Sequence, residues 1–151
     1  VGPMAAVAGC ISQHIAERLL TKTDEIIIEN GGDLYLKSNH VRKVIIYAGL
    51  SPLSNKVFLR INSPKKGIGL CTSSGTVGPS YSMGKADAVT VMSESAALAD
   101  AAATAIGNII HNKDDIKTGL KLAQNIKGII GLVIIKDDQI GMWGEIDYGL
   151  I

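Results

Sequence analysis

Aromatic residues make up only 4% of this 151-residue chain, with a single Trp and a single Phe, so it lacks the platforms on which proteins stack single-stranded nucleic acid. Charge of one sign is missing too. Fifteen Lys and Arg stand against 14 Asp and Glu, a formal net charge of +1 with no long run of either sign, which argues against a phosphate-backbone binder. Nucleic acid is not an expected partner. There are two cysteines, Cys10 and Cys71, far apart and outside any CxxC, so neither a disulfide framework nor a cysteine zinc site is indicated; both are expected to be buried thiols. No apolar run reaches the roughly 18 residues of a membrane span, and the start lacks the basic stretch of a signal peptide. A cytoplasmic protein with no membrane partner is therefore expected.

What the chain does have is aliphatic bulk. With 46% hydrophobic residues and so few aromatics, its core must be built from Ile, Leu, Val and Ala, and a chain of this length can bury about two thirds of its unfolded surface without staples. One domain over residues 1–151 is expected. From Pro3 to about Leu20, Met4, Val7, Ala8, Ile11, Ile15 and Leu19 recur at spacings of three and four, the mark of an amphipathic helix with Pro in its first turn. DEIIIEN and DLYLKS read as two strands around a tight Gly turn. VRKVIIYAG, KVFLRIN, GIGLC and ADAVTVMS are further strands, with SPLSN as a loop. Helices are expected over Ser93–Asn108 and over DDIKTGLKLAQNIKG, the latter with Ile116, Leu120 and Ala123 inward. The segment GIIGLVIIKDDQIGMWG reads as a hairpin turning at Asp137 and Asp138. Strands and helices do not alternate in βαβ fashion, so the predicted class is α+β, an antiparallel or mixed sheet with helices packed on it.

Three constellations carry chemistry. Asp100 and Thr104 lie one turn apart on a helix of small residues, so a carboxylate and a hydroxyl share one face; they are either two oxygen ligands for a hard cation, or an Asp in water and a Thr bonded back to the carbonyl of residue 100. Asn30-Gly31-Gly32-Asp33 joins two strands, where a hairpin alone explains both glycines, although it does not explain Asp33. Thr72-Ser73-Ser74-Gly75-Thr76 follows an apolar strand, and the amides and hydroxyls of such a loop can cradle phosphate oxygens, although Ser/Gly runs are also ordinary loops. A Mg²⁺ ion accepts carboxylate and hydroxyl oxygens and completes its octahedron with waters and substrate phosphates. His14, His40 and His111 have no partners placed to make a site, and His111 falls at a helix end, where a cation suits the dipole.

In that order the segments resemble the ApbE-like proteins, whose best-known members are Mg²⁺-dependent FAD:protein FMN transferases. ENGGDLYL resembles the family's Asn-x-Gly-Gly-Asp turn, CTSSGT its Thr-Ser-Gly loop, and AVTVMSESAALADAAATAIGN the strand and helix that end in its Asp-Ala-x-x-Thr-Ala metal motif. An uncharacterised prokaryotic and archaeal subgroup, methanogens included, is similar to the chain in GPMAAVAG and CTSSGTVG. The resemblance implies Mg²⁺ at Asp100 and Thr104 with a backbone carbonyl near Ala5, and a flavin nucleotide such as FAD beside Asn30, Gly31, Gly32, Asp33, Thr72, Ser73, Ser74 and Gly75.

The departures bear on activity. Ala5-Ala6-Val7 stands where the family has Ala-Lys-Gly, and VGPSYSMGKAD has neither the His nor the Asp-Pro of the family's His-x-x-Asp-Pro segment. The implied function is a Mg²⁺-dependent flavin- or nucleotide-binding protein, either a flavin or nucleotidyl transferase or an FAD pyrophosphatase. The alternative is a non-catalytic cofactor-binding or assembly subunit. The Val1 start and the segment that the family carries ahead of this region suggest a fragment or one product of a cleaved precursor, with a site left incomplete unless a companion N-terminal chain supplies the rest. A protein acceptor for the flavin and a homo-oligomer are the other partners this reading admits.

Overall fold

The computed structural model of the chain describes residues 1–78 and 81–151; Pro79 and Ser80, within the VGPSYSMGKAD segment, lie outside the described residues. Short β-branched and apolar runs, alternating in some strands and continuous in others, give β1 (Ile26–Asn30), β2 (Asp33–Lys37), β3 (Arg42–Ile45), β4 (Val57–Ile61), β5 (Ile68–Ser73), β6 (Ala88–Ser93), β7 (Ile129–Lys136) and β8 (Gln139–Gly144), and the chain ends with β9 (Tyr148–Leu150). The helices are α1 (Val7–Leu19), preceded by a 3-10 turn over Pro3–Ala6, then α2 (Ala96–Gly107) and α3 (Ile116–Gln124). All pairings are antiparallel: β1-β2-β5-β6-β7-β8 form one sheet and β3-β4-β9 a second.

The large sheet is covered on both faces. Successive strand residues point to opposite sides, so Val89, Val91, Leu132 and Ile134 pack with the helices around Ala99, Ala103 and Ile106, while Ala88, Met92, Val133 and Ile135 pack with Val57, Leu59 and Ile61 of the small sheet. Double coverage explains why β6 is buried at every position and reads as a near-continuous apolar run. β9 was not expected from the sequence; it is three residues long, and its place is set by pairing with β4 rather than by its own pattern.

The amphipathic pattern of α1 is present but its large apolar residues are exposed (Ile11 45%, Ile15 42%), as is Met4 (80%) in the turn before it, and Gly9, Ser12 and Ala16 face inward. One expectation is corrected. Cys10, expected to be buried, is exposed on the outward arc, whereas Cys71 is buried as expected. Small residues allow the close approach. Ala96, in the first turn of α2, is held between Gly9 of α1 and Gly69 of β5, and a Cβ on either glycine would run into Ala96 backbone atoms. Ser95 caps α2 by accepting from the Leu98 amide at 3.3 Å, which starts that helix later than the sequence pattern suggested.

Gly69→Ala is therefore expected to lower unfolding free energy by about 1–3 kcal/mol, the usual range for overpacking, because the neighbour it meets is main chain and cannot rotate away. Urea denaturation measures this, and a change below about 0.5 kcal/mol would show that the α2–β5 contact is looser than described.

Candidate functional site

The first turn of α1 has amides with no partner inside the helix, and no side chain of its own N-cap satisfies them. Asp100, on α2, does so from across the helix pair: its Oδ2 accepts from the Gly9 amide at 2.9 Å. An anion at a helix N-terminus is stabilised by the helix dipole, so Asp100 caps α1 in trans. Of the two sequence readings, an Asp pointing to water is excluded, since Asp100 is buried. Burial pushes its carboxyl above the ordinary range, against the pull of the Gly9 and Ala8 amides.

Asp33 starts β2 and is also buried. Its Oδ1 accepts from the Thr72 amide at 3.2 Å, and its own carbonyl accepts from Ser12 Oγ of α1 at 2.9 Å. Burial first, and the charge of Asp100 second, push its carboxyl up to about 7. Cys71, opposite Asp33 in the β2–β5 register, donates its thiol to the Ala96 carbonyl and is pushed up by burial and by the two carboxylates.

Both carboxylates open onto one cavity of about 430 Å³, within the size range of small-molecule sites. It brings together Gly31, Gly32, Asp33, Thr72, Ser73, Ser74, Asp100 and Thr104. Among the described residues that line it there is no Lys, Arg or His. Asn30, Gly75 and Ala5 are not in the lining. Asn30 ends β1 and reaches instead to the Ala8 carbonyl. Gly75 packs on the Gly84 backbone, where a Cβ would clash. Ala5 lies in the 3-10 turn, its amide donating to the Gly2 carbonyl. Gly31 and Gly32, at φ +64° and +102°, are the two-residue turn of the β1–β2 hairpin.

The hydroxyl loop differs from its sequence reading. Thr72 and Ser73 belong to β5, and the Gly75 and Thr76 amides, expected to face a phosphate, already have protein acceptors. Gly75 N donates to the Ala86 carbonyl, while the Thr76 and Val77 amides donate to Ser74 Oγ at 3.1 and 3.0 Å. The reason is local: a Ser hydroxyl competes for amides two and three residues on. What the loop offers a ligand is chiefly hydroxyl oxygen.

Several lining residues were not singled out from the sequence. Leu34, Val44, Ile46 and Leu70 form an apolar wall between the two sheets, Thr90 joins Thr72 through a 2.9 Å hydroxyl contact, and Tyr47 and Tyr81 stand exposed at the rim. Only the packing of one sheet on the other brings β3 here, so spacing in the chain carried no signal. Asp87 holds the loop from behind: it accepts from Thr76 Oγ1 at 2.9 Å and from the Asp137 amide, with Lys136 Nζ 3.8 Å away. Among the described residues no three His, Cys, Asp or Glu side chains gather as a metal cluster.

The family model described as AbpE bacteria matches residues 1–132. A UPF0280 protein of Methanococcus maripaludis C7 is 48% identical over 151 residues, covering 97% of this chain and 61% of that protein. UPF0280 proteins of Methanosarcina acetivorans and Methanocaldococcus jannaschii are 43% and 45% identical, with 97% of this chain and 58% and 61% of those proteins covered. The chain thus spans about three fifths of the length of these relatives. Among solved structures, the apo flavinyl transferase ApbE of Pseudomonas stutzeri superposes with a TM-score of 0.64 at 18% identity, over 92% of this chain and 49% of that one, a likeness of fold. With most of its length matched by the family model, over the segments that hold the Gly-Gly-Asp turn, the hydroxyl loop and the Asp100 helix, the chain belongs to the ApbE-like proteins.

Proposed function

We propose that the chain binds a flavin or another nucleotide through a Mg²⁺ ion held by Asp100 and Thr104, and that it serves as a flavin or nucleotidyl transferase or an FAD pyrophosphatase. One observation carries this reading. Two buried carboxylates, Asp33 and Asp100, face a cavity whose described lining has no cationic side chain. A pyrophosphate entering beside them would meet like charge, and the Gly75, Thr76 and Val77 amides that might have offset it are already bonded. A divalent cation resolves the conflict, because it takes hard oxygen donors from protein and phosphate together. The donor set fits: Asp100 and Thr104, one helical turn apart, both line the cavity, and the Asp100 carboxylate is held in place by the Gly9 amide.

When bound, the metal would act as a Lewis acid on the phosphate oxygens. The chain's own residues would do the rest. Ser73, Thr72 and Thr90 offer hydroxyls to the phosphate end, while Leu34, Val44, Ile46 and Leu70 offer an apolar wall for a ring system, with Tyr47 at the rim. A hydroxyl of an acceptor protein would be the nucleophile in a transfer. The bonded loop amides, and the absence of the family's Lys and His from their segments, support a second reading, a non-catalytic cofactor-binding or assembly subunit.

Mg²⁺ at about 100 times its Kd should raise stability by about 2.7 kcal/mol, several degrees in Tm. Asp100→Asn keeps an acceptor for the Gly9 amide and removes the charge, and Thr104→Val keeps the shape and removes the oxygen. Both should abolish the Mg²⁺-dependent shift, read by calorimetry, and retention of the full shift in both would refute the metal assignment. A further expectation concerns pH without metal. A carboxyl raised in the fold contributes stability that is fully present below its unfolded value near 4 and is lost as pH rises through about 7 for Asp33. Metal-free Tm should fall over that window, Asp33→Asn should flatten the fall, and added Mg²⁺ should oppose it. Incubation with FAD and Mg²⁺, followed by chromatography for AMP and FMN, separates the two functional readings: release supports the enzyme, and saturable binding without release supports the binding module.

A further inference from the structure

Helix α1 is set into the fold the opposite way round from an ordinary surface helix, which turns its large apolar residues to the core. Its small face, Gly9, Ser12 and Ala16, meets α2 and the sheet, while Val7, Ile11, Ile15 and Leu19 form a ridge of four-residue steps on the outside, continued by Met4 and Val1. All six are exposed. By contrast, α3 turns Ile116, Gly119 and Ala123 inward with Leu120 packed beside them, and α2 buries Ala99, Ala103 and Ile106. A continuous apolar ridge of this length on an otherwise satisfied helix marks a contact surface.

We infer that this ridge is the seat of the polypeptide stretch by which the longer relatives exceed this chain. The relatives are 43–48% identical over nearly the whole of it, and about two fifths of their length has no counterpart here. Chains that similar share the fold of the matched part. The stretch of the relatives that has no counterpart in the matched part would then cover the ridge. Its seating would also fix the first turn of α1, whose Gly9 amide holds Asp100. The inference rests on the packing of α1 and on chain length, and is independent of the metal and nucleotide reading.

Cysteine accessibility tests it. Ile15→Cys in this chain, and the same change at the aligned position of the full-length Methanococcus maripaludis C7 relative, are each reacted with a maleimide and the modified peptide is quantified by mass spectrometry. The expected result is rapid modification here and at least tenfold slower modification in the full-length relative, unchanged on dilution. Ile27→Cys on β1 serves as the control and should react alike in both, since Ile27 is exposed and points away from the face on which Ile26 and Ile28 pack against the helical core. Equal reactivity at position 15 in the two proteins overturns the inference. So does protection that disappears on dilution, which would assign the ridge to a second copy of the chain.

Discussion

The contact on which the site and the helical layer both depend is the meeting of the first turn of α1 with the first turns of α2. Gly9 comes so close to Ala96 and Asp100 that no side chain fits between them, and at that distance its amide reaches the Asp100 carboxylate. The same contact does three things. It satisfies a helix terminus that has no cap of its own, it buries Asp100, and it sets that carboxylate beside Asp33, whose carbonyl is in turn tied to Ser12 of α1. Stability and chemistry are therefore coupled here: the carboxylate that would bind a cation is also a structural acceptor.

That coupling explains the electrostatic character of the cavity. Burial of two acids near each other is unfavourable for both charges, which raises their affinity for protons, and the same penalty is relieved by a cation. The flanking loop is built for rigidity more than for anion binding. Ser74 gathers its amides, and Thr76 anchors it to Asp87, which is held in turn by the Asp137 amide beside Lys136. A pyrophosphate in this cavity would depend on hydroxyls and on a metal more than on a nest of main-chain amides.

The strands were legible because alternation is a local signal: Val57, Leu59 and Ile61 face one core as their spacing implied, and Asp137 turns the β7–β8 hairpin at positive φ. The Gly31-Gly32 turn was legible for the same reason. The orientation of α1 was not. Periodicity reveals that a helix has an apolar side, but the choice of which side is covered depends on how near the neighbouring backbone comes, and Gly9, Ser12 and Ala16 allow it to come very near. The close approach of Gly75 to the Gly84 backbone was not legible either, because the two are nine positions apart and no local pattern joins them.

Taken alone, the sequence determined the class of the fold, the paired hairpins, and the segments that gather around the cavity, since each of these follows from local propensity and from motifs that are contiguous in the chain. It also determined that Asp100 and Thr104 share a helix face, a matter of helical pitch. Only the tertiary structure decided that Asp100 is buried and caps another helix, that Asp33 stands beside it, and that β3 supplies the apolar wall. Those facts depend on contacts between residues such as Gly9 and Asp100, 91 positions apart, and no periodicity within a segment encodes a distance between segments.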